Sequence, residues 1–425
     1  MKVLWITNGL YPDVCMHFGI ETPFGGGWQV SAANSLVNTV SDIQLAIAAP
    51  YKGNDFKKLE LNGIIYFLIP NNGSNKHKLS KLGFYWKVIH FHFLPDLVHI
   101  QGTEYSFLSS YINYFGSKNV VISIQGLVSV YANYYLGGIE KKVLLKNITM
   151  RDILRRDTLF SQKRDFMQRG EIEKAMIQSS VHVIGRTSWD KAHTWVINPK
   201  INYHFCNETL RDEFYQHTWE LSNCDRHSIF LSQAHYPIKG LHQMIKAFSI
   251  ILYHFPDSKI YVAGRDFVTN KGLLITGYGK YIKSLMKING ITNKIIFTGI
   301  LQEKEICKIF LSSHVFVCPS SIENSPNSIG EAQLLGVPCV ASYVGGISEM
   351  VKDNETGLLY RFEEVEMLAA AICKIFSDDQ FAKNLSVQGQ AIANNRHNKI
   401  NNSNTLYTIY QSIYDKINRS SYYMP

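Results

Sequence analysis

Residues 314–349 restrict the fold of this chain more than any other stretch. His314-Val315-Phe316-Val317-Cys318 has the length and apolar content of a short buried strand. A polar loop follows it, and Ser325-Pro326 predicts a helix start, since serine is a favoured N-cap and proline is tolerated at the first helical position. Gly336 and Pro338 predict its end. Residues 338–342 then predict the next strand, and Gly345-Gly346 a turn. Such a strand–loop–helix–strand unit belongs in an open α/β sheet. Ligands of these sheets bind at the carboxyl edge, where helix N-termini offer free amides to an anion. Glu323 falls in a loop at that edge, and Glu331 one and a half turns into the helix.

The same alternation runs along the whole chain. Apolar runs predict strands at 3–7, 43–49, 64–69, 97–100, 120–124 and 181–184, with a helix at 28–40. After a polar, irregular stretch at 207–225 the pattern restarts, with strands at 229–232, 259–263, 295–298, 315–318 and 339–342 and an apolar run at 358–360. Helical spacing recurs at 241–254, 365–376, 379–394 and 405–417. At 425 residues the chain exceeds the roughly 250–300 at which single cores stop growing. The expected fold class is therefore α/β, with two Rossmann-like, doubly wound parallel sheets. The expected domains are 1–206 and 228–402, joined by a linker at 207–227.

A formal net charge of +9 favours anionic partners such as nucleotide diphosphates or anionic lipid headgroups. Nucleic acid is excluded as an expectation, because no zinc-finger spacing, recognisable nucleic-acid module or Arg-rich tail is present. The seven cysteines are scattered without a C-x-x-C, which predicts reduced thiols in a cytoplasmic protein. The first residues read as a strand rather than a signal peptide, and no run of about 18 apolar residues occurs. Between 141 and 169 nine lysines and arginines interleave with Ile148, Ile153, Leu154, Leu159, Phe160 and Phe166. That pattern suits either a solvated helical face or peripheral attachment to an anionic membrane surface.

Glu323 and Glu331, separated by seven residues, are followed by Ala332, Leu335-Gly336-Val337-Pro338 and Gly345-Gly346-Ile347-Ser348-Glu349. The full string resembles the signature of the retaining GT-B glycosyltransferases of family 4, the glycosyl transferases group 1. That resemblance implies two Rossmann-like domains facing a cleft, with the terminal helix 403–425 packed back on the first. It implies transfer of a sugar from a nucleotide-diphosphate donor, UDP- or GDP-linked, to a hydroxyl of a glycan or lipid-linked acceptor. The biological setting would be a bacterial surface polysaccharide such as capsule, O-antigen or exopolysaccharide. It further implies front-face transfer, with the departing diphosphate helping to deprotonate the acceptor and with no metal or other cofactor; no Asp-x-Asp occurs in the chain. Two other expectations stand beside it: a GT-B nucleotide-sugar epimerase, and a catalytically silent nucleotide- or sugar-binding partner.

On the residues that match, Lys239 and Gly240 resemble the family's donor-phosphate Lys-Gly, Glu323 the glutamate at the transferred sugar, and Glu331 the ribose ligand. Lys239 and Glu323 are the candidates for the chemistry. Asn324, Ser325, Asn327 and Ser328 are expected to orient the donor. Gly264, Arg265 and Ile300 close strand-end loops where backbone can approach a nucleotide. Where many members carry Gly-Arg this chain has Ser232-Gln233-Ala234-His235, so Gln233, His235 or Arg265 is expected to take over that phosphate contact. In the first half, Gly26 and Gly27 follow the first strand as the family's glycine-rich donor loop does. Gln125 stands where many members have histidine; its amide can bind a sugar hydroxyl but cannot titrate near neutrality. Arg186 is a candidate for a phosphate or acceptor anion, with a structural ion pair as the other expectation. Glu104 is a candidate acceptor ligand or base.

Overall fold

The computed structural model describes residues 1–20, 27–71, 77–270 and 272–422. They form two compact units. The first comprises Met1–Ser129, Gln168–Leu210 and the chain from His397 onward; the second comprises Val130–Met167 and Arg211–Arg396.

Among the described residues the first unit carries eight strands: β1 (Lys2–Ile6), β2 (Gln44–Tyr51), β3 (Lys57–Leu61), β4 (Ile64–Pro70), β5 (Leu97–Gln101), β6 (Val120–Ser123), β7 (His182–Gly185) and β8 (Asn202–Phe205). Their order is β3-β4-β2-β1-β5-β6-β7-β8, parallel throughout except for β3 against β4. Strands such as β1 and β4 are apolar nearly end to end, as strands buried in a parallel sheet are. β3 and β8 carry no such run; both are edge strands with polar, half-exposed residues, and neither is among the expected strands. Asn62 and Gly63 have φ of 52° and 75°, the pairing of positive angles that a two-residue hairpin turn needs. The terminal helix Lys399–Tyr422 buries Ile409, Tyr410 and Ile413 in the core of this unit. Trp5 Nε1 donates to Tyr410 Oη at 2.9 Å, and His99 Nδ1 lies 2.6 Å from the same oxygen.

The second unit's described strands are β9 (Asp225–Leu231), β10 (Lys259–Val262), β11 (Ile295–Phe297), β12 (Ser313–Cys318), β13 (Cys339–Ser342) and β14 (Leu358–Tyr360). They are parallel in the order β11-β10-β9-β12-β13-β14. The winding reverses between β9 and β12, so the connections leaving these neighbours diverge and open a crevice at their carboxyl ends.

The sequence reading groups residues 130–167 with the first unit; by contacts they pack on the second. A Cβ on Gly137, whose φ is +57°, would sit 2.6 Å from the Pro237 carbonyl oxygen, and His242 Nε2 lies 2.7 Å from the Gly137 carbonyl. Asp152 accepts from the Gly277 amide at 2.8 Å. The stretch read as a linker is anchored too. Phe214 is buried, Trp219 Nε1 donates to the Ser313 carbonyl at 2.8 Å, and the Trp219 amide donates to the Leu335 carbonyl at 2.7 Å.

Candidate active site at the β9–β12 crevice

The loop after β9 ends in a 3-10 turn, Pro237–Lys239, and then Gly240, from which the helix Leu241–His254 starts. The loop after β12 comes against it. A Cβ on Gly240, at φ +71°, would meet the Pro319 carbonyl oxygen at 1.6 Å, so only glycine permits this approach. The Ser321 amide donates to the Ile238 carbonyl at 2.7 Å and stitches the two loops together. A Gly240→Ala protein is expected to lose about 3 kcal/mol of stability in this unit, from strain at positive φ plus displacement of the Pro319 loop. Denaturant unfolding checks this, and unfolding at the wild-type midpoint would show that the loops need no such contact.

That approach brings two charges together. Lys239 Nζ donates to Glu323 Oε1 at 2.6 Å, with both side chains largely buried, and Ser320 Oγ donates to the same oxygen at 2.9 Å. Burial alone would lower the lysine pKa, but the Glu323 carboxylate overrides it and holds the ammonium above its ordinary range. The main chain of Glu323 is fixed as well. Its carbonyl accepts from the Gly346 amide at 3.1 Å, and a Cβ on Gly345 would fall 1.8 Å from that carbonyl oxygen. The Gly345-Gly346 pair thus packs behind the glutamate. The Asn324 amide donates to Tyr131 Oη at 2.8 Å, and Ser321 Oγ donates to the Tyr134 carbonyl at 3.1 Å. Tyr135 stacks on Tyr236, ring centroids 6.3 Å apart. The segment 130–139 therefore lies over the Lys239 turn, a placement no local pattern in the sequence signals.

The helix after this loop spans Asn327–Leu335 and ends at Gly336 in the left-handed conformation, as expected. Its start differs by one residue. Pro326 is the N-cap, with extended ψ of 122°, and Ser325 Oγ instead lies 3.5 Å from Met350 Sδ. Asn327 and Ser328 occupy the first turn, where the free amides are. Glu331 faces Arg211: Nε donates to Oε1 and Nη2 to Oε2, both at 2.7 Å. Burial raises the Glu331 pKa, and Arg211 works against that rise. Arg211 is absent from the sequence-derived site. It is a single arginine in an irregular segment, with no spacing that ties it to Glu331.

On the neighbouring strands, the Gly264 amide donates to the Gly299 carbonyl at 2.9 Å, clamping the loops after β10 and β11 together. Arg265 is exposed, and Ile300 lies beyond the clamp. Desolvation, then the Lys239 ammonium, push the His235 pKa below its usual range, so His235 adds a hydrogen-bonding group at neutral pH rather than a second charge. Gln233 is exposed.

The other candidates belong to the first unit. Gly26 lies outside the described residues. Gly27 begins the helix Gly27–Thr39. Arg186 is buried in an ion pair with Glu208, and its Nη2 also donates to the Ile124 and Gln125 carbonyls at 2.9 and 2.8 Å. A ligand anion would have to displace those bonds. The Gln125 side chain lies beside Gly102. Glu104 is paired with Arg169. Nearby, the buried carboxylate of Glu173 accepts from the Val128 and Ser129 amides at 3.0 Å each and so caps the helix Val128–Tyr134.

Two parallel-sheet units of this kind define the GT-B class, and comparison with solved structures bears this out. Sucrose-phosphate synthase from Thermosynechococcus elongatus superposes with a TM-score of 0.71 over 98% of this chain and 100% of that one, at 15% identity. HepE of Anabaena, solved in complex with UDP and glucose, gives 0.65 over 97% and 100%, also at 15% identity. Likeness at such identity shows the fold alone. Residues 220–391 match the model of the family Glycosyl transferases group 1, and Lys239, Glu323 and Glu331 lie inside the matched stretch. The D-inositol 3-phosphate glycosyltransferase of Corynebacterium urealyticum is 28% identical over 33% of this chain and 33% of its own length. The UDP-Gal:alpha-D-GlcNAc-diphosphoundecaprenol alpha-1,3-galactosyltransferase of Escherichia coli is 27% identical over 29% of this chain and 33% of its own. The chain thus matches about a third of the length of these curated relatives.

Proposed function

We propose that the chain is a retaining glycosyltransferase of family 4 that moves a sugar from a UDP- or GDP-linked donor to a hydroxyl of a glycan or lipid-linked acceptor, in bacterial surface polysaccharide synthesis. The observation that carries this is the Lys239–Glu323 contact at the β9–β12 crevice, within the matched family domain. In this reading the donor diphosphate lies against Lys239 and the amides opening the helix Asn327–Leu335, the ribose on Glu331, and the sugar hydroxyls on Glu323. The bond from anomeric carbon to phosphate oxygen breaks, and its electron pair stays on the diphosphate. The acceptor oxygen bonds to the same face of that carbon, and its proton passes to a diphosphate oxygen. Lys239 and the helix amides stabilise the leaving charge, at about 0.3–1 kcal/mol from the helix terminus, and no metal is needed in this reading. A lipid-linked acceptor is supported by the relative named for a diphosphoundecaprenol-linked substrate.

The test incubates the protein in EDTA with a panel of nucleotide sugars, with and without extracted glycolipids, and follows products by mass spectrometry and anomeric configuration. Acceptor-dependent transfer with retention is expected. Donor conversion without acceptor would make it an epimerase. Nucleotide binding without turnover would make it a silent partner, and the absence of both binding and turnover would end the reading.

The same proposal includes attachment to an anionic membrane surface. Within 141–169 four of the large exposed apolar side chains, Leu145, Met150, Ile153 and Leu154, gather in one short stretch and are 56–68% exposed, with Met167 apart from them at 55%. Exposed Lys141, Lys142, Lys146, Arg155 and Arg156 surround them in sequence, and exposed Lys280 reaches the Lys146 carbonyl. No helix among the described residues is long and apolar enough to cross a membrane. At about 1 kcal/mol per basic residue near such a surface, Arg155→Gln with Arg156→Gln should weaken flotation with phosphatidylglycerol vesicles roughly thirtyfold. Unchanged flotation would remove this part.

A further inference from the structure

We infer that Arg211 is a positioning residue for nucleoside recognition, acting through Glu331; this rests on the reading of Glu331 as the ribose ligand. The guanidinium meets the carboxylate as a fork, with two parallel bonds of 2.7 Å to its two oxygens. An ionised carboxylate offers about four acceptor positions, two on each oxygen. The fork takes one from each and leaves one on each, so the pair that remains suits two adjacent hydroxyls on a ribose. The fork also sets the carboxylate plane, which a lysine could not do.

The surroundings support positioning over solvation. The Glu331 side chain is 6% exposed and that of Arg211 20% exposed, so little water reaches either, and a carboxylate buried this deeply needs its cation to stay charged. Arg211 is itself held: its guanidinium lies over the Phe214 ring at 4.6 Å, and Glu303 adds to its charge stabilisation. The Glu213 amide donates to Glu303 Oε1 at 3.0 Å and fixes that carboxylate in turn. The residue after Leu210 thus enters the second unit already oriented towards the nucleoside end of the site.

Calorimetry compares UDP and GDP with their 2′-deoxy forms and with pyrophosphate, on the full chain and on Arg211→Lys and Arg211→Met. The wild type should prefer ribose over deoxyribose roughly tenfold, as expected for one hydrogen bond to a charged group. Arg211→Lys should bring that ratio close to one while pyrophosphate affinity holds. Arg211→Met should show the same collapsed ratio, and if it does not fold, Arg211→Lys, which keeps the buried positive charge but not the fork, carries the test. A ratio kept in Arg211→Lys would overturn the inference and leave the pair as a structural clamp. A wild type that binds UDP or GDP without ribose preference would overturn the ribose role of Glu331 and this inference with it. A wild type that binds neither nucleotide would overturn the proposed function itself.

Discussion

A Glu323→Ala protein should bind UDP or GDP at least as tightly as the wild type and transfer sugar roughly 10²–10³-fold more slowly, the range seen when one group aimed at a transition state is removed. The geometry explains the asymmetry. Glu323 neutralises Lys239 at 2.6 Å, so its removal frees the ammonium for the diphosphate while the sugar loses its carboxylate. Lys239→Ala should behave differently. It leaves Glu323 buried without its cation and removes the charge that would hold the diphosphate, so affinity and turnover should fall together. Glu331→Ala should lose nucleotide affinity first. Isothermal titration together with initial rates separates the three, and a Glu323→Ala protein that loses affinity yet keeps its rate would exchange the roles of the two glutamates.

The second large effect is a loss of stability in mild acid. Burial lowers His99 to about 3 and His182, His242 and His314 to about 4, and all four are nearly inaccessible. Their folded pKa values lie below the unfolded one. Their contribution is therefore complete above pH ~6.5 and is lost as pH falls towards 4, where the unfolded chain takes up protons that the folded one refuses. Each group weakens folding by about 1.4 kcal/mol per pH unit inside that window. Glu173 and Glu331, raised by burial, work in the opposite direction above their unfolded values, two groups against these four histidines and against His193, His204 and His235, which burial also lowers. Asp257, Asp266 and Asp379 are lowered, so they matter only below the histidine window. His99 and His182 lie in the first unit, and His242 and His314 in the second. Both units should therefore melt several degrees lower at pH 5 than at pH 7.5. Calorimetric scans across that range check this, and a flat profile would mean the histidines protonate without unfolding.

Much of the fold was legible because doubly covered parallel strands must be apolar over their whole length. Strands β1, β2, β4 and β5 and the run from β9 to β14 announce themselves within a residue or two, apart from the longer start of β9. The edge strands β3 and β8 have one half-solvated face, and their mixed residues blend with loops. Asn62-Gly63 was a usable turn signal for β3. In the site, the glutamate spacing, Lys239-Gly240 and the glycine–proline helix stop could all be read locally. The off-by-one cap at Pro326 could not, since Ser325 satisfies the same preference on paper and only the Met350 contact shows where its hydroxyl goes.

The sequence by itself determined that two parallel sheets form and that Lys239, Glu323 and Glu331 stand at the carboxyl edge of the second, whereas the place where that sheet reverses its winding came from the strand order. Apolar periodicity and capping chemistry are local, so they survive in the order of residues. Only the tertiary structure decided that Lys239 is paired with Glu323, that Arg211 holds Glu331, that Tyr131 and Tyr134 cover the loop, and that Arg186 is spent on Glu208. Those contacts join residues from 22 to 193 positions apart, where side-chain complementarity in the packed state, not any spacing along the chain, selects the partner.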